Sequence, residues 1–135
     1  MGGDALHRVF LADRDKENIR HLSCLLEDAH HIRPAVWQNL YSFHTFIEEP
    51  EAGTIFIRID DPLIPGLELT RYASDHHYPR INIIWMAKSV SYALEAFRYG
   101  AEAYLLLPAT GETLQETIRS LIGKTKGEFI SKEKI

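Results

Sequence analysis

The sequence predicts an α/β domain in which a parallel five-stranded sheet is covered by helices on both faces. Two observations carry this: five short apolar segments bounded by turn residues, and amphipathic segments of helical period that alternate with them along the chain. Parallel strands need crossover connections, and here every connection has a helical pattern. At 135 residues the chain has the length of one domain, since two would each be short of core. No apolar run approaches the roughly 18 residues of a membrane span, and the opening MGGDALHRVF lacks the basic-then-apolar layout of a secretion signal. A cytoplasmic protein without membrane contact is expected. The single cysteine, Cys24, excludes an internal disulfide and a Cys-pair zinc site. A net charge of −4 has the wrong sign for phosphate neutralisation, so no direct nucleic-acid contact is expected of this domain.

Arg8 to Ala12 reads as a buried strand that runs into the acidic cluster Asp13-Arg14-Asp15. Asp15 is placed to cap a helix from Lys16 to Asp28, whose apolar stripe is Ile19, Leu22, Leu25 and Leu26, with Cys24 expected to pack in the core. Pro34 to Trp37 is a weaker second strand. Leu40, Phe43 and Ile47, beside Tyr41 and Phe46, give a second amphipathic helix that stops at Pro50. Gly53 opens the β-branched third strand, Thr54 to Ile59, which ends in the turn residues Asp60-Asp61-Pro62 and Pro65-Gly66. A short helix from Leu67 to Ser74, a strand from Ile81 to Met86, and a helix from Tyr92 to Tyr99 closed by Gly100 follow. Ala103 to Leu107 is the fifth strand. Leu114, Ile118, Leu121 and Ile122 form the last helix, which Gly123 can end. The expected architecture is the flavodoxin-like (βα)5 three-layer sandwich of strand order 2-1-3-4-5, whose switch point lies at the carboxyl ends of strands one and three. Asp13, Arg14, Asp15 and Arg58 to Asp61 should gather there. Residues 1–7 read as an N-terminal lead, 8–122 as the domain, and 123–135 as a lysine-bearing tail or linker.

Three stretches resemble the receiver domain of two-component response regulators. RVFLADRD, residues 8–15, is similar to the first strand and acidic pocket of that family, and IRIDDPLIPGLEL, residues 57–69, to its phosphoacceptor strand with the following Pro and Gly. The longest is ALEAFRYGAEAYLLLP, residues 93–108. The resemblance implies an acceptor aspartate after strand three, a divalent cation held by neighbouring carboxylates, a hydroxyl residue after strand four, and a lysine before the proline after strand five. Anchored on Pro62 and Gly66, this sequence has Arg58 at the acceptor position. It keeps Asp13 as the first acidic residue and has Arg14 as the second, Met86 for the hydroxyl and Leu107 for the lysine. Four of the five positions differ from the family pattern.

Each difference removes a step of the chemistry. Arg58 has no nucleophilic oxygen and stays protonated, so it cannot form an acyl phosphate. Arg14 and Arg58 bring positive charge to a site where Mg²⁺ wants oxygen ligands. Met86 cannot donate a hydrogen bond to a phosphoryl oxygen, and Leu107 cannot compensate its charge. The expectation is a degenerate receiver, a pseudo-receiver with no enzymatic activity, no metal and no cofactor. Its degenerate pocket comprises Asp13, Arg14, Asp15, Arg58, Met86 and Leu107, in which Asp13 and Arg58 either pair internally in place of the cation or both reach solvent.

Asp60 and Asp61 are potential substitute acceptors, but turn acids are the commoner reading. Tyr104 matches the aromatic that the family rotates on signalling; otherwise it is a half-buried strand tyrosine with a wet hydroxyl. His30-His31 and His76-His77 fall in expected connections, where exposed loop histidines are the ordinary reading. The resemblance places a cis peptide at Leu107-Pro108.

The family commonly uses the face built from helix four, strand five and helix five for dimers and output contacts. Here it draws on Val90, Leu94, Glu95, Phe97, Arg98 and Tyr104, and on Thr113 to Arg119. A phosphorylation-independent regulatory module is therefore expected, acting through a protein partner or a homodimer. YALEAFRYGAEAYLL, residues 92–106, further resembles receivers attached to LytTR-type DNA-binding domains, which implies transcription control. The alternatives are a receiver phosphorylated at Asp60 or Asp61, and a sensor of an anionic small molecule bound by Arg14 and Arg58.

Overall fold

The structure, a computed structural model, describes residues 8–77 and 80–123; the lead 1–7 and the tail from 124 onward lie outside the described residues. Its elements in chain order are β1 (Val9–Ala12), α1 (Lys16–His30), β2 (Ala35–Val36), α2 (Leu40–Ile47), β3 (Gly53–Arg58), α3 (Gly66–His77), β4 (Ile81–Ala87), α4 (Ala93–Arg98), β5 (Ala103–Leu106) and α5 (Gly111–Gly123). The five strands form one sheet of order β2-β1-β3-β4-β5, every pair parallel. This is the expected flavodoxin-like order.

The period of two along each strand divides the core into two layers. Val9, Leu11, Phe56, Ile84, Met86 and Leu105 face one side, where they bury Leu22 and Leu26 of α1 and Leu114, Ile118 and Leu121 of α5. Phe10, Ile55, Ile57, Ile83 and Trp85 face the other and bury Phe43 and Ile47 of α2, Leu69 and Ala73 of α3 and Ala96 of α4. The register places Leu11 beside Phe56, Ile57 beside Trp85, and Arg58 beside Met86. Arg58 and Met86 thus reach the carboxyl edge together.

Several local expectations need correction. Cys24 is exposed. The buried stripe of α1 is Asn18, Leu22 and Leu26 at spacings of four, and Cys24, two residues from Leu22, points away from it. Leu40 and Tyr41 are also exposed, leaving Phe43, Phe46 and Ile47 to anchor α2. Only Ala35 and Val36 enter the ladder of β2, because Pro34 before them has no N–H to give. Helices α1 and α3 run further than expected: His30 is the last residue of α1, His31 its left-handed cap, and His76 lies inside α3. The histidine pairs therefore belong to helix ends rather than loops, and the side chain of His77 lies outside the described residues. Ile122 lies in α5, its side chain likewise outside the described residues.

Gly100 ends α4 with φ +106°, a conformation that L side chains rarely adopt, and a Cβ there would lie 2.5 Å from Ser74 Oγ. The absence of a side chain lets the end of α4 approach α3. Gly100→Ala should cost about 1–3 kcal/mol, read as a lowered urea midpoint with an unchanged denaturant slope; an unaltered midpoint would show that the contact is slack.

Candidate functional site

The carboxyl ends of β1 and β3 place Asp13 and Arg58 on adjacent strands. Both are buried, with side-chain exposures of 1% and 8%. Arg58 Nη1 donates to both oxygens of Asp13 at 3.3 Å and to Asp15 Oδ2 at 3.4 Å, while its Nε donates to Asp60 Oδ1 at 2.7 Å. One guanidinium thus ties together three carboxylates from two loops. Asp13 is further held by the Asn18 amide, which donates to Oδ2 at 2.7 Å, and by the backbone N–H of Asp15, which donates to Oδ1 at 3.0 Å.

A second pair lies beside the first. Arg14 makes a fork to Asp61, with Nε to Oδ2 at 3.0 Å and Nη2 to Oδ1 at 3.3 Å, and the N–H of Leu63 also donates to Asp61 Oδ1. Asp60 has a second role, since its Oδ2 accepts the N–H of Lys88 at 3.0 Å and so fastens the β4–α4 loop. Further along that loop, the Tyr104 hydroxyl donates to the Ser89 carbonyl. That hydroxyl is bonded rather than left to solvent. Hydrogen bonds link Arg58 to the loop through Asp60, and Tyr104 holds the same loop from β5.

The electrostatics follow from these contacts. Burial opposes the charge on Arg58, but Asp13, Asp60 and Asp15 outweigh it and raise its pKa above the ordinary arginine value. For Asp15, burial likewise works against ionisation, yet the Asn18 N–H, Arg58 and the Glu17 N–H hold the carboxyl below its usual range. Asp61 is lowered in the same way, burial being overcome by the Leu63 N–H and Arg14.

Met86 is buried beneath this cluster, its sulfur 3.8 Å from the Asn18 amide nitrogen, and Leu107 is buried in the layer under α1 and α5. The Leu107-Pro108 peptide is cis, as the resemblance implied. The donor set does not suit a divalent cation: Arg58 Nη1 occupies the space between Asp13 and Asp15, and Asp60 and Asp61 are taken by guanidinium groups. An anion is no better served, because the recess of about 360 Å³ is lined by Arg14 and Arg58 together with Asp15, Asp60 and Asp61.

The sequence reading missed Asn18 and the pairing of the two turn aspartates with Arg58 and Arg14. Asn18 sits at the four-residue spacing of Leu22 and Leu26, so a polar residue on a buried stripe was visible. The roles of Asp60 and Asp61 depend on where two arginine side chains fold, which no local pattern encodes.

On the α4 side Val90, Leu94 and Phe97 are 66%, 87% and 54% exposed, and Ala96 is the one buried residue of α4. Glu95 and Arg98 are exposed on the same helix.

Replacing Arg58 by Met should leave Asp13 as a buried, uncompensated charge and cost about 3–5 kcal/mol. In the Asp13→Asn/Arg58→Met double variant much of that loss should return. Equal losses in single and double variants would mean that the pair does not carry the stability. Because the Asp15 and Asp61 pKa values are depressed in the folded state, their contribution is complete above about pH 3.9 and is lost as pH falls below it while these carboxyls protonate. Urea midpoints between pH 2 and pH 6, on the order of the carboxylate range, should decline less steeply in Asp61→Asn than in the parent.

No protein-family model matches the sequence, and no curated protein matches it significantly. The fold has clear counterparts among solved structures. A response regulator receiver domain protein from Clostridium thermocellum is 19% identical with a TM-score of 0.72, covering 88% of this chain and 96% of its own. The receiver domain of a sensor histidine kinase from Pseudomonas aeruginosa, with a magnesium ion in its active-site cleft, is 18% identical with a TM-score of 0.71, covering 86% and 97%. The beryllofluoride-activated NtrC4 receiver domain dimer is 21% identical with a TM-score of 0.72, covering 88% and 98%. The chain has the α/β fold of response regulator receiver domains, and at these identities the likeness is one of fold.

Proposed function

We propose that this domain is a pseudo-receiver, a signalling module of response-regulator type that works without phosphorylation and without catalysis of its own, in the cytoplasm. The observation that carries the reading is the buried Arg58 guanidinium bonded to Asp13, Asp15 and Asp60, at the carboxyl ends of the strands where a receiver would hold its cation and phosphoryl group. The module acts on a protein partner or a second copy of itself through α4, β5 and α5. Exposed Val90, Leu94 and Phe97 supply apolar contact, while Glu95 and Arg98 supply charges of both signs that a two-fold axis can pair. Transcription control through a LytTR-type output domain is the wider context that residues 92–106 suggest.

Asp60 and Asp61 as substitute acceptors are the rival reading, weakened by their bonds to Arg58 and Arg14. Incubation with acetyl phosphate and Mg²⁺ should leave the intact mass unchanged, and beryllofluoride with Mg²⁺ should leave the amide NMR spectrum of strands β1, β3 and β4 unshifted. A phosphoryl adduct lost in Asp60→Asn or Asp61→Asn would establish the rival.

Association should need no phosphate. Sedimentation at micromolar concentration should give a dimer that Leu94→Glu converts to monomer. A monomer in both would remove the homodimer and leave a different protein as the partner.

A further inference from the structure

A second surface feature lies away from the carboxylate cluster, where α3 meets the end of α4. Gly100, without a Cβ, lets the two helices close over Ser74, and beside this contact opens a cleft of about 410 Å³ lined by Arg71, Ser74, Asp75, Phe97, Arg98 and Tyr99. Among the described residues neither Arg71 nor Arg98 has a carboxylate within 4.0 Å, unlike Arg14 and Arg58. Two guanidiniums against the one carboxylate of Asp75 leave the cleft with a formal charge of +1, on a chain whose net charge is −4.

The apolar part of the lining is aromatic. Arg71 Cζ lies 6.0 Å from the centroid of the Tyr99 ring, which is itself stacked on buried Trp85 at 6.4 Å, so one wall is backed by the core. Phe97 is 54% exposed at the rim. Arginine and aromatic side chains around a recess are the composition of an anchor pocket in protein recognition, where an apolar side chain enters and flanking carboxylates meet the guanidiniums.

We propose that this α3–α4 cleft binds an acidic peptide segment of a partner protein, with an aromatic or aliphatic residue as its anchor. The proposal shares Phe97 and Arg98 with the interaction face and rests to that extent on the reading above, but Arg71, Ser74 and Tyr99 lie outside the dimer surface. Charge complementarity selects the occupant: an acidic segment neutralises the two arginines, whereas a basic one would leave them repelled.

The test is selection of random twelve-residue peptides displayed on phage against the full chain. The selected peptides should carry two or more Asp or Glu residues around one Phe, Trp or Leu, and their affinity should fall at least tenfold in Arg71→Glu and in Arg98→Glu and weaken between 0.05 and 0.5 M salt. Arg71→Lys should retain part of the binding, and thermal melts of each variant separate lost binding from lost fold. Selected peptides without acidic bias, or acidic peptides indifferent to both charge reversals, would overturn the proposal. Equal competition by inorganic phosphate or a single-stranded oligonucleotide would overturn it too, by showing a general anion site. Sedimentation of Arg71→Glu keeps the two readings apart: a variant that still dimerises but no longer binds peptide separates the cleft from the dimer surface, while absence of a dimer with peptide binding intact rejects only the homodimer.

Discussion

The carboxyl edge of this sheet depends on a single buried cation. Asp13 is nearly inaccessible, and an ionised carboxylate there has to be compensated or the edge is expensive to fold. Arg58 supplies the charge from the neighbouring strand, where the parallel register of β1 and β3 brings the two within 3.3 Å. Because a guanidinium is planar and carries several donors, it also reaches Asp15 and Asp60, which a lysine ammonium at the end of a flexible stem would not do with the same fixity. Whether such a cluster adds net stability over an apolar filling is a separate matter, since desolvation offsets much of the attraction. What it does add is a fixed arrangement of the β1–α1 and β3–α3 loops.

That arrangement extends sideways. Asp60 receives Arg58 on one oxygen and the Lys88 N–H on the other, so the position of the β4–α4 loop is set by the same guanidinium that neutralises Asp13. Tyr104 then bonds to Ser89 of that loop from β5. Buried Met86, for its part, has neither the donor nor the charge to sense events at the edge, and it serves as packing between β4 and α1. The connection from the pocket to the α4 side thus runs over the loop surface through Asp60 and does not pass through residue 86. It is anchored on the Arg58 guanidinium, whose charge its carboxylate neighbours favour despite burial.

The fold was readable because its signals are local and mutually consistent. Short apolar runs marked β1 and β3 as strands buried on both faces, the Asp15 cap marked the start of α1, and Gly100 marked the end of α4 at a backbone angle that requires it. Where a residue's fate depends on phase around a helix, the reading was less secure: Cys24 and Leu40 are apolar by type yet stand off the buried stripe. The ends of α1 and α3 were placed short because histidine doublets look like loop residues, whereas the left-handed cap at His31 shows the helix running up to it. For the pocket, sequence placed Asp13 and Arg58 on neighbouring strand ends by topology alone. It did not pair Arg14 with Asp61, since that choice is made by two side chains folding over a loop 47 residues apart in sequence.

Helix α4 shows how little of a helix the monomer needs. Six residues are far too few to be stable alone, and only Ala96 is fully buried, so the segment is held by its ends: the β4–α4 loop tied to Asp60 and Tyr104 on one side, Tyr99 on Trp85 and the Gly100 turn on the other. Leu94, the most exposed of its apolar residues, contributes almost nothing to folding in this arrangement. Covering a side chain of that kind is worth about 1.5–3 kcal/mol, against an association cost of roughly 4–15 kcal/mol. Three such residues, together about 4.5–9 kcal/mol, fall within that cost and leave little surplus to hold a partner by themselves. A stable contact has to recruit the charged residues of the same helix or the aromatic wall beside it, and this is why the placement of Glu95, Arg98 and Tyr99 around the apolar patch matters more to recognition than the patch alone.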